Sequence, residues 1–399
     1  MNHSFIRFAR PDYDDEEIAA LTEVVRSGWT TSGPKTAQFE KEFQEYTSAR
    51  HALAVNSCTA GLHLALAALD IGPGDEVITT PLTFCATVNV ILETGATPVL
   101  ADIGPDLNID PLAIRKALTP RTRALLPVHI AGLPCAMPAI WDLAAEHGLK
   151  VLEDAAHAAG SVVEGEPVGG GQSHATAFSF YATKNLSTGE GGMVTTNDAE
   201  LENRMRILCL HGISRDAWNR YSERGSWFYD VVEGGFKYNM SDLTAALGLV
   251  QLRKLDRMNR RRVEIARLYN EAFRGLAELE LPPDRAGVGH AWHLYILRLR
   301  LDRLQIDRAQ FFEEMRHRGI GCSVHFIPIP LHSYYQGVLE MRDPCTRALA
   351  EYPRLLSLPL YSKMTDDETV RVIHAVRDVV CKFNVRTSEA VGAELSVVP

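Results

Sequence analysis

Two residues thirty positions apart (184 minus 154) carry the first chemical suggestion in this chain. Asp154 stands in Glu153-Asp154-Ala155-Ala156-His157, directly after the apolar run Leu149-Lys150-Val151-Leu152, and Lys184 stands in Ser179-Phe180-Tyr181-Ala182-Thr183-Lys184-Asn185. A carboxylate at a buried strand end is costly unless a cation meets it. A protonated pyridine nitrogen is such a cation, and a lysine amine can condense with an aldehyde at the opposite end of the same flat ring. The pair therefore fits pyridoxal phosphate. Asp154 would keep the ring an electron sink, and Lys184 would form the Schiff base and then carry the proton between substrate and cofactor carbons. Taken singly, each residue has a plainer reading. Glu-Asp after a strand is more often a helix cap or a metal ligand, and a single lysine is more often a solvated surface group.

A ring phosphate needs an anchor. Asn56-Ser57-Cys58-Thr59-Ala60-Gly61 follows a strand candidate and opens a helix, so its N–H groups and hydroxyls can face an anion that the helix dipole also favours. Helix capping by Asn56 or Ser57 would explain the same residues. Ser179 offers a second hydroxyl at a strand end, and Phe84 is a candidate to stack on a ring face or else to fill the core. No G-x-G-x-x-G or Walker pattern occurs, which leaves dinucleotide and P-loop sites unsupported.

These residues need a scaffold, and the chain reads as α/β. Strand candidates are Ala52–Val55, Glu76–Thr79, Thr97–Leu100, Ala124–Val128, Lys150–Leu152, Ala175–Ser179 and Gly192–Thr196, which predict one seven-stranded sheet. Helical stretches such as Thr59–Leu69 and Ala139–His147 separate several of them. A long amphipathic helix is predicted from Ser241 to about Phe273. Beyond it His290–Leu301 reads as a strand, Asp307–Gly319 as a helix, Cys322–Ile327 as a strand and Asp366–Phe383 as a last helix, a smaller α+β unit. The expected division is a large domain over 1–250, a small one over 251–386, and a disordered tail over 387–399.

Bulk properties exclude more than they assign. At 399 residues the chain exceeds the size at which one core keeps growing, and 46% hydrophobic with 23% charged residues is ordinary for a soluble globular protein. A net charge of -9 is a poor match to a nucleic-acid binder, so Arg257, Arg260, Arg261 and Arg262 read as a solvated helix face at the domain junction. Seven scattered cysteines without a C-x-x-C pair suggest neither a disulfide framework nor a zinc site. The expectation is a cytoplasmic protein with no membrane span and no metal. His290 and His293 form an H-x-x-H without further nearby ligands, which favours packing or substrate contact over a metal, and His129 after an apolar run is similarly ambiguous.

Five segments in register, Asn56–Leu62, Gly74–Ile78, Glu153–His157, Phe178–Asn185 and Gly189–Gly192, together resemble the DegT/DnrJ/EryC1/StrS nucleotide-sugar aminotransferases, and the likeness extends from Ser27 to about Phe383. That resemblance implies a fold-type I, aspartate aminotransferase-like PLP enzyme with a mostly parallel sheet, active as a homodimer with shared sites. It makes Lys184 the internal aldimine lysine, Asp154 the pyridine partner, His157 a neighbour of the ring oxygen and Phe84 the stacking residue. Thr59, Ala60 and Ser179 would hold the phosphate, with Asn239 of Gly235–Asp242 reaching the partner subunit's cofactor. Substrate contacts would fall to Trp29, Thr30, Glu190, Lys237 and His325.

Some members carry histidine in place of the lysine and act as dehydratases; Lys184 favours transamination. The segments Lys237–Asp242, His290–Tyr295 and Gly319–Phe326 look most like enzymes acting at C4 of UDP-linked 4-ketosugars, of the 4-amino-4-deoxy-arabinose and pseudaminic acid type. Tyr181 departs from the histidine of the arabinose enzymes, and the stretch Asp216–Val232 is distinctive. The implied reaction is a ping-pong transfer from L-glutamate through pyridoxamine phosphate to the sugar. The alternatives are a C3-ketosugar or inosose substrate, or a nucleic-acid-binding regulator.

Overall fold

The computed structural model describes residues 4–214, 229–283, 285–340 and 342–385. Of the distinctive stretch, residues 216–228 lie outside the described residues, as does the tail 387–399.

The seven expected strands form one sheet in the order His51–Val55, Gly192–Thr196, Ala175–Ser179, Lys150–Asp154, Thr122–Leu126, Glu76–Thr79, Thr97–Leu100. Gly192–Thr196 is antiparallel to both neighbours and every other adjacent pair is parallel. Such strands are covered on both faces, which is why they read as continuous apolar runs. Alternate residues divide between the two sides. Ile78, Leu125, Val151 and Phe178 pack with Phe39, Phe43 and Ile140 on one face, while Val77, Leu126, Leu152 and Ala177 meet Leu62, Leu66 and Ile91 on the other.

A second sheet orders Leu279–Glu280, Tyr295–Leu299 and Leu355–Leu358, and its apolar cluster includes Leu297, Phe311, Met315, Leu356 and Val376. The helix Asp242–Phe273 joins the two cores. Ser241 caps it by accepting from the Thr244 N–H, and its 32 residues make it roughly 48 Å long at about 1.5 Å per residue. Leu249, Leu252, Leu255 and Met258 lie in the first core, and Ile265, Ala266, Tyr269 and Phe273 in the second. Ile6, near the other end of the chain, also packs in the second core and bridges Ile320.

Three expectations need correction. Only Tyr295–Leu299 of His290–Leu301 is a strand, because His290–Leu294 is braided with the segment 131–132 instead: Ala291 N–H donates to Gly132 O and Leu294 N–H to Ala131 O. Cys322–Ile327 is not a strand. Leu355–Leu358 takes the place beside Tyr295–Leu299, and only Ser323 pairs beyond it, with Ser357, before His325 and Phe326 turn toward a cavity. The arginine run is not a uniformly solvated face either. Arg262 is 3% exposed and donates to the carbonyls of Trp292, His293 and Leu360, while Arg261 reaches Met364 O and Asp366. No helix among the described residues is long and apolar enough to cross a membrane.

Candidate active site

Parallel strands of an open sheet end on one side, and ligands bind beyond their carboxyl ends. Here Asp154 is the last residue of its strand and Ser179 the last of the next, so both reach the same edge, where a cavity of about 520 Å³ opens. Ser57, Thr59, Phe84, Asp154, His157, Ser179, Lys184, Glu190 and His325 all line it.

Asp154 is 5% exposed. Its Oδ2 accepts from the Thr87 hydroxyl at 2.8 Å and its Oδ1 from the Ala156 N–H at 3.1 Å. Neither donor is a cation. Burial pushes its carboxyl above the usual range, although those donors and the Lys184 charge pull the other way. Lys184 shows the mirror behaviour: burial lowers its ammonium to about 8, against the pull of Cys58 and Asp154. Among the described residues neither side chain has an oppositely charged partner within ion-pair range, so desolvation prevails at both. A flat cation between them would satisfy the carboxylate, and an aldehyde would take the amine.

His157 offers its Nδ1 to the Ala131 N–H at 3.2 Å, which leaves the proton of the neutral ring on Nε2. Burial and the Lys184 charge hold its pKa well below the usual value, so it stays uncharged. Burial, aided by Lys184, also lowers His325 to about 4; its Nδ1 pairs with Ser357 Oγ at 2.9 Å. Phe326 stacks on His157 with ring centroids 5.7 Å apart.

The anion end is built on the helix Cys58–Ala68. Ser57 caps it by accepting from the Ala60 N–H at 3.1 Å, so the helix-capping reading of this turn holds. That bond engages Ala60, which does not line the cavity, whereas Ser57, Thr59 and Ser179 do. Gly192 makes the turn possible. A Cβ there would stand 2.7 Å from Cys58 N and from Phe178 O, so only glycine lets the strand pass against the helix start. Hydroxyls and N–H groups at a helix N-terminus form a donor set suited to phosphate, and with the cationless Asp154 and unpaired Lys184 they fit pyridoxal phosphate.

Trp29, Thr30, Lys237 and Asn239 do not line the cavity. They form a neighbouring cluster around Ser32. Trp29 Nε1 donates to Ser32 O at 3.0 Å and Asn239 Nδ2 to Ser32 Oγ at 2.6 Å, while Lys237 O accepts from Asn56 Nδ2. Asn239 bridges Val55, so this segment runs beside the phosphate-facing turn.

Sequence reasoning missed Thr87, whose hydroxyl holds Asp154, together with Thr83 and Phe326 in the lining, and it noted His293 without giving it a role. Thr87 sits three residues past Phe84 on the next helix, and helical spacing from that residue could have found it. His129, left open, is a satisfied core histidine: its Nδ1 accepts from Cys135 N–H and its Nε2 meets Glu153 at 2.7 Å. His290 stacks on Trp292. No group of three or more His, Cys, Asp or Glu among the described residues could hold a metal.

Known proteins resemble this chain in sequence and fold. The chain is 52% identical over 384 residues to the Bacillus subtilis "Spore coat polysaccharide biosynthesis protein SpsC", covering 95% of this chain and 98% of that protein. It superposes with a TM-score of 0.89 on the PMP form of the putative sugar aminotransferase Spr1654 from Streptococcus pneumoniae, at 33% identity over 94% of this chain and 99% of the other, and with 0.88 on the PLP form. Helicobacter pylori PseC, an "aminotransferase involved in the biosynthesis of pseudoaminic acid", gives 0.88 at 31% identity over 95% of this chain and all of that one. Residues 11–377 match the DegT/DnrJ/EryC1/StrS aminotransferase family, so an enzyme of that family, a PLP-dependent sugar aminotransferase, is what this chain is.

Proposed function

We propose that the enzyme moves an amino group from L-glutamate to C4 of a UDP-linked 4-ketosugar, in a homodimer whose sites are completed across the subunits. In this reading residues 1–250 bind the cofactor, 251–386 wall the substrate side, and the enzyme works in the cytoplasm. The observation that supports this chemistry is that Asp154 and Lys184 line one cavity, each desolvated and neither paired with an opposite charge among the described residues.

Pyridoxal phosphate, when bound, supplies an electron sink that stabilises negative charge on the substrate carbon. Asp154 faces the ring nitrogen and keeps it protonated, with Thr87 and the Ala156 N–H fixing the carboxylate. Lys184 Nζ holds the moving proton. An ammonium brought down to about 8 both accepts and releases a proton near neutrality, which a solvated lysine does poorly. His157, protonated at Nε2, would donate to the ring oxygen, Ser57, Thr59 and Ser179 would hold the phosphate, and Phe84 would stack on the ring.

About 520 Å³ accommodates a planar ring and one sugar but not a nucleotide besides. The nucleotide would extend past the exposed Phe84, Tyr181 and Glu190 toward the Trp29, Thr30 and Lys237 cluster of the second subunit. His325 and Glu190 would meet the sugar itself. Choice of C4 rests on the likeness to the pseudaminic-acid protein and on the Lys237–Asp242 segment. Mass spectrometry of products formed from a panel of UDP-4-ketosugars, C3-ketosugars and inososes with glutamate tests it. A 4-amino product is expected, and amination of C3-ketosugars or inososes alone would overturn the C4 assignment.

A further inference from the structure

His293 lines the cavity and is only 5% exposed, yet nothing in the reaction described above uses it. Its proton can be placed from a chain of hydrogen bonds anchored on backbone carbonyls, which only accept. Asn259 Nδ2 donates to Ala159 O at 3.0 Å, so Asn259 Oδ1 is the end that accepts from Asn185 Nδ2, at 2.8 Å. Asn185 Nδ2 gives its other hydrogen to Ala291 O at 2.7 Å. Asn185 Oδ1 is therefore an acceptor, and the group it faces at 3.1 Å, His293 Nδ1, must carry the proton.

The consequence falls on the other ring nitrogen. A neutral imidazole protonated at Nδ1 has a bare lone pair at Nε2, and that atom has no protein partner among the described residues. Arg262 fixes the backbone here by donating to the carbonyls of Trp292 and His293, and the Ala291 and Leu294 N–H groups tie the same segment to Gly132 and Ala131. The neighbouring His157 ring, centroid 4.4 Å away, has the opposite tautomer, with its proton on Nε2. Two neutral rings of opposite tautomer thus line the same cavity, His157 with a free Nε2–H and His293 with a free Nε2 lone pair among the described residues.

We infer that His293 is a specificity-determining residue of the proposed reaction, accepting a hydrogen bond from a sugar hydroxyl and disfavouring the carboxylates of the amino donor at the same point. A carboxylate has only lone pairs to present there, whereas a sugar has O–H groups. Burial, with the charges of Lys184 and Arg262, holds the His293 pKa far below the usual value, so the ring keeps its lone pair throughout the working pH range.

This assignment rests on the sugar aminotransferase reading, and the test separates the two. The two half-reactions are followed in single turnover by the cofactor's absorbance, with glutamate alone and then with a UDP-4-ketosugar, in the wild type, His293→Phe and His293→Gln. Binding of UDP-4-amino-4-deoxy-arabinose is measured by calorimetry on the same proteins. Losing one neutral hydrogen bond in a buried site is expected to weaken sugar binding and slow the sugar half-reaction roughly tenfold more than the glutamate half-reaction in the phenylalanine variant. The glutamine variant, which keeps an acceptor, recovers most of that ratio. Equal losses in both half-reactions, or no recovery with glutamine, overturn the assignment of His293. A wild-type enzyme that aminates none of the ketosugars overturns the substrate reading itself.

Discussion

The cavity floor and the cluster around Ser32 lie close together but are built differently. Asp154, Lys184 and His157 come from a strand end and the turns that follow strands, and Thr87 from a helix beside them; Asp154, Thr87 and His157 are held by hydrogen bonds within the chain, the Lys184 amine is left unpaired among the described residues, and the group they await is a small flat ring. Trp29 is 42% exposed, Thr30 and Lys237 are open, and the Asn239 side chain meets Ser32 and Lys237. One region is complete except for its cofactor, and the other has polar groups on a surface with no ligand of its own to face. The contrast teaches how the proposed division works: chemistry would be carried by the floor, and recognition by a surface cluster that a second subunit would complete.

The largest expected break in that contrast is Lys184→Ala. Removing the proton carrier should lower turnover by roughly 10⁴-fold and abolish the bound cofactor's visible absorbance, with melting of the cofactor-free protein little changed. Retention of either signal would show that another amine does the work. Borohydride reduction followed by peptide mapping is expected to leave cofactor on Lys184 alone.

Asn239→Ala sharpens the comparison. On its own it should weaken cofactor retention about tenfold, the effect of one lost hydrogen bond. Mixed with Lys184→Ala subunits, it becomes diagnostic. If Asn239 serves the partner's site, a mixed dimer has one site with both defects and one with neither, so activity returns to roughly a quarter of the wild type in a statistical mixture. If it serves its own chain, every site keeps a defect and mixing restores nothing. Titration of activity in the mixture decides between them.

The strands that position the floor were legible because each is buried on both faces and reads as an apolar run; Asp154 drew notice at the end of one and Lys184 in the turn that follows another. His325 and Phe326 were harder. Their segment, Cys322–Ile327, has the composition of a strand, but Leu355–Leu358 competes for the same sheet edge and wins, an outcome set by chain-distant packing. His293 was hidden for a related reason. Its neighbours Asn185, Asn259 and Arg262 lie up to 108 positions away, so the tautomer that gives it meaning exists only in the folded network. The arginine run misled because charge in a sequence suggests solvent, whereas Arg262 finds three carbonyls in the interior.

The smallest effect is also the most direct measure of how closed the floor is. An amine attacks an aldehyde only as the free base, so uptake of pyridoxal phosphate by the cofactor-free enzyme should rise with pH and level off near the Lys184 pKa. Burial sets that point at about 8, against an ordinary 10.5. Below it the ammonium form dominates and uptake slows. Asp154 and Cys58 both favour the charged amine, so Asp154→Asn should move the midpoint lower still, although it also weakens binding of the ring. Stopped-flow absorbance between pH 6.5 and 10.5 checks the sign. A midpoint that stays near 10.5 would mean that Lys184 is as well solvated as the Ser32 cluster and that the two regions differ less than their geometry indicates.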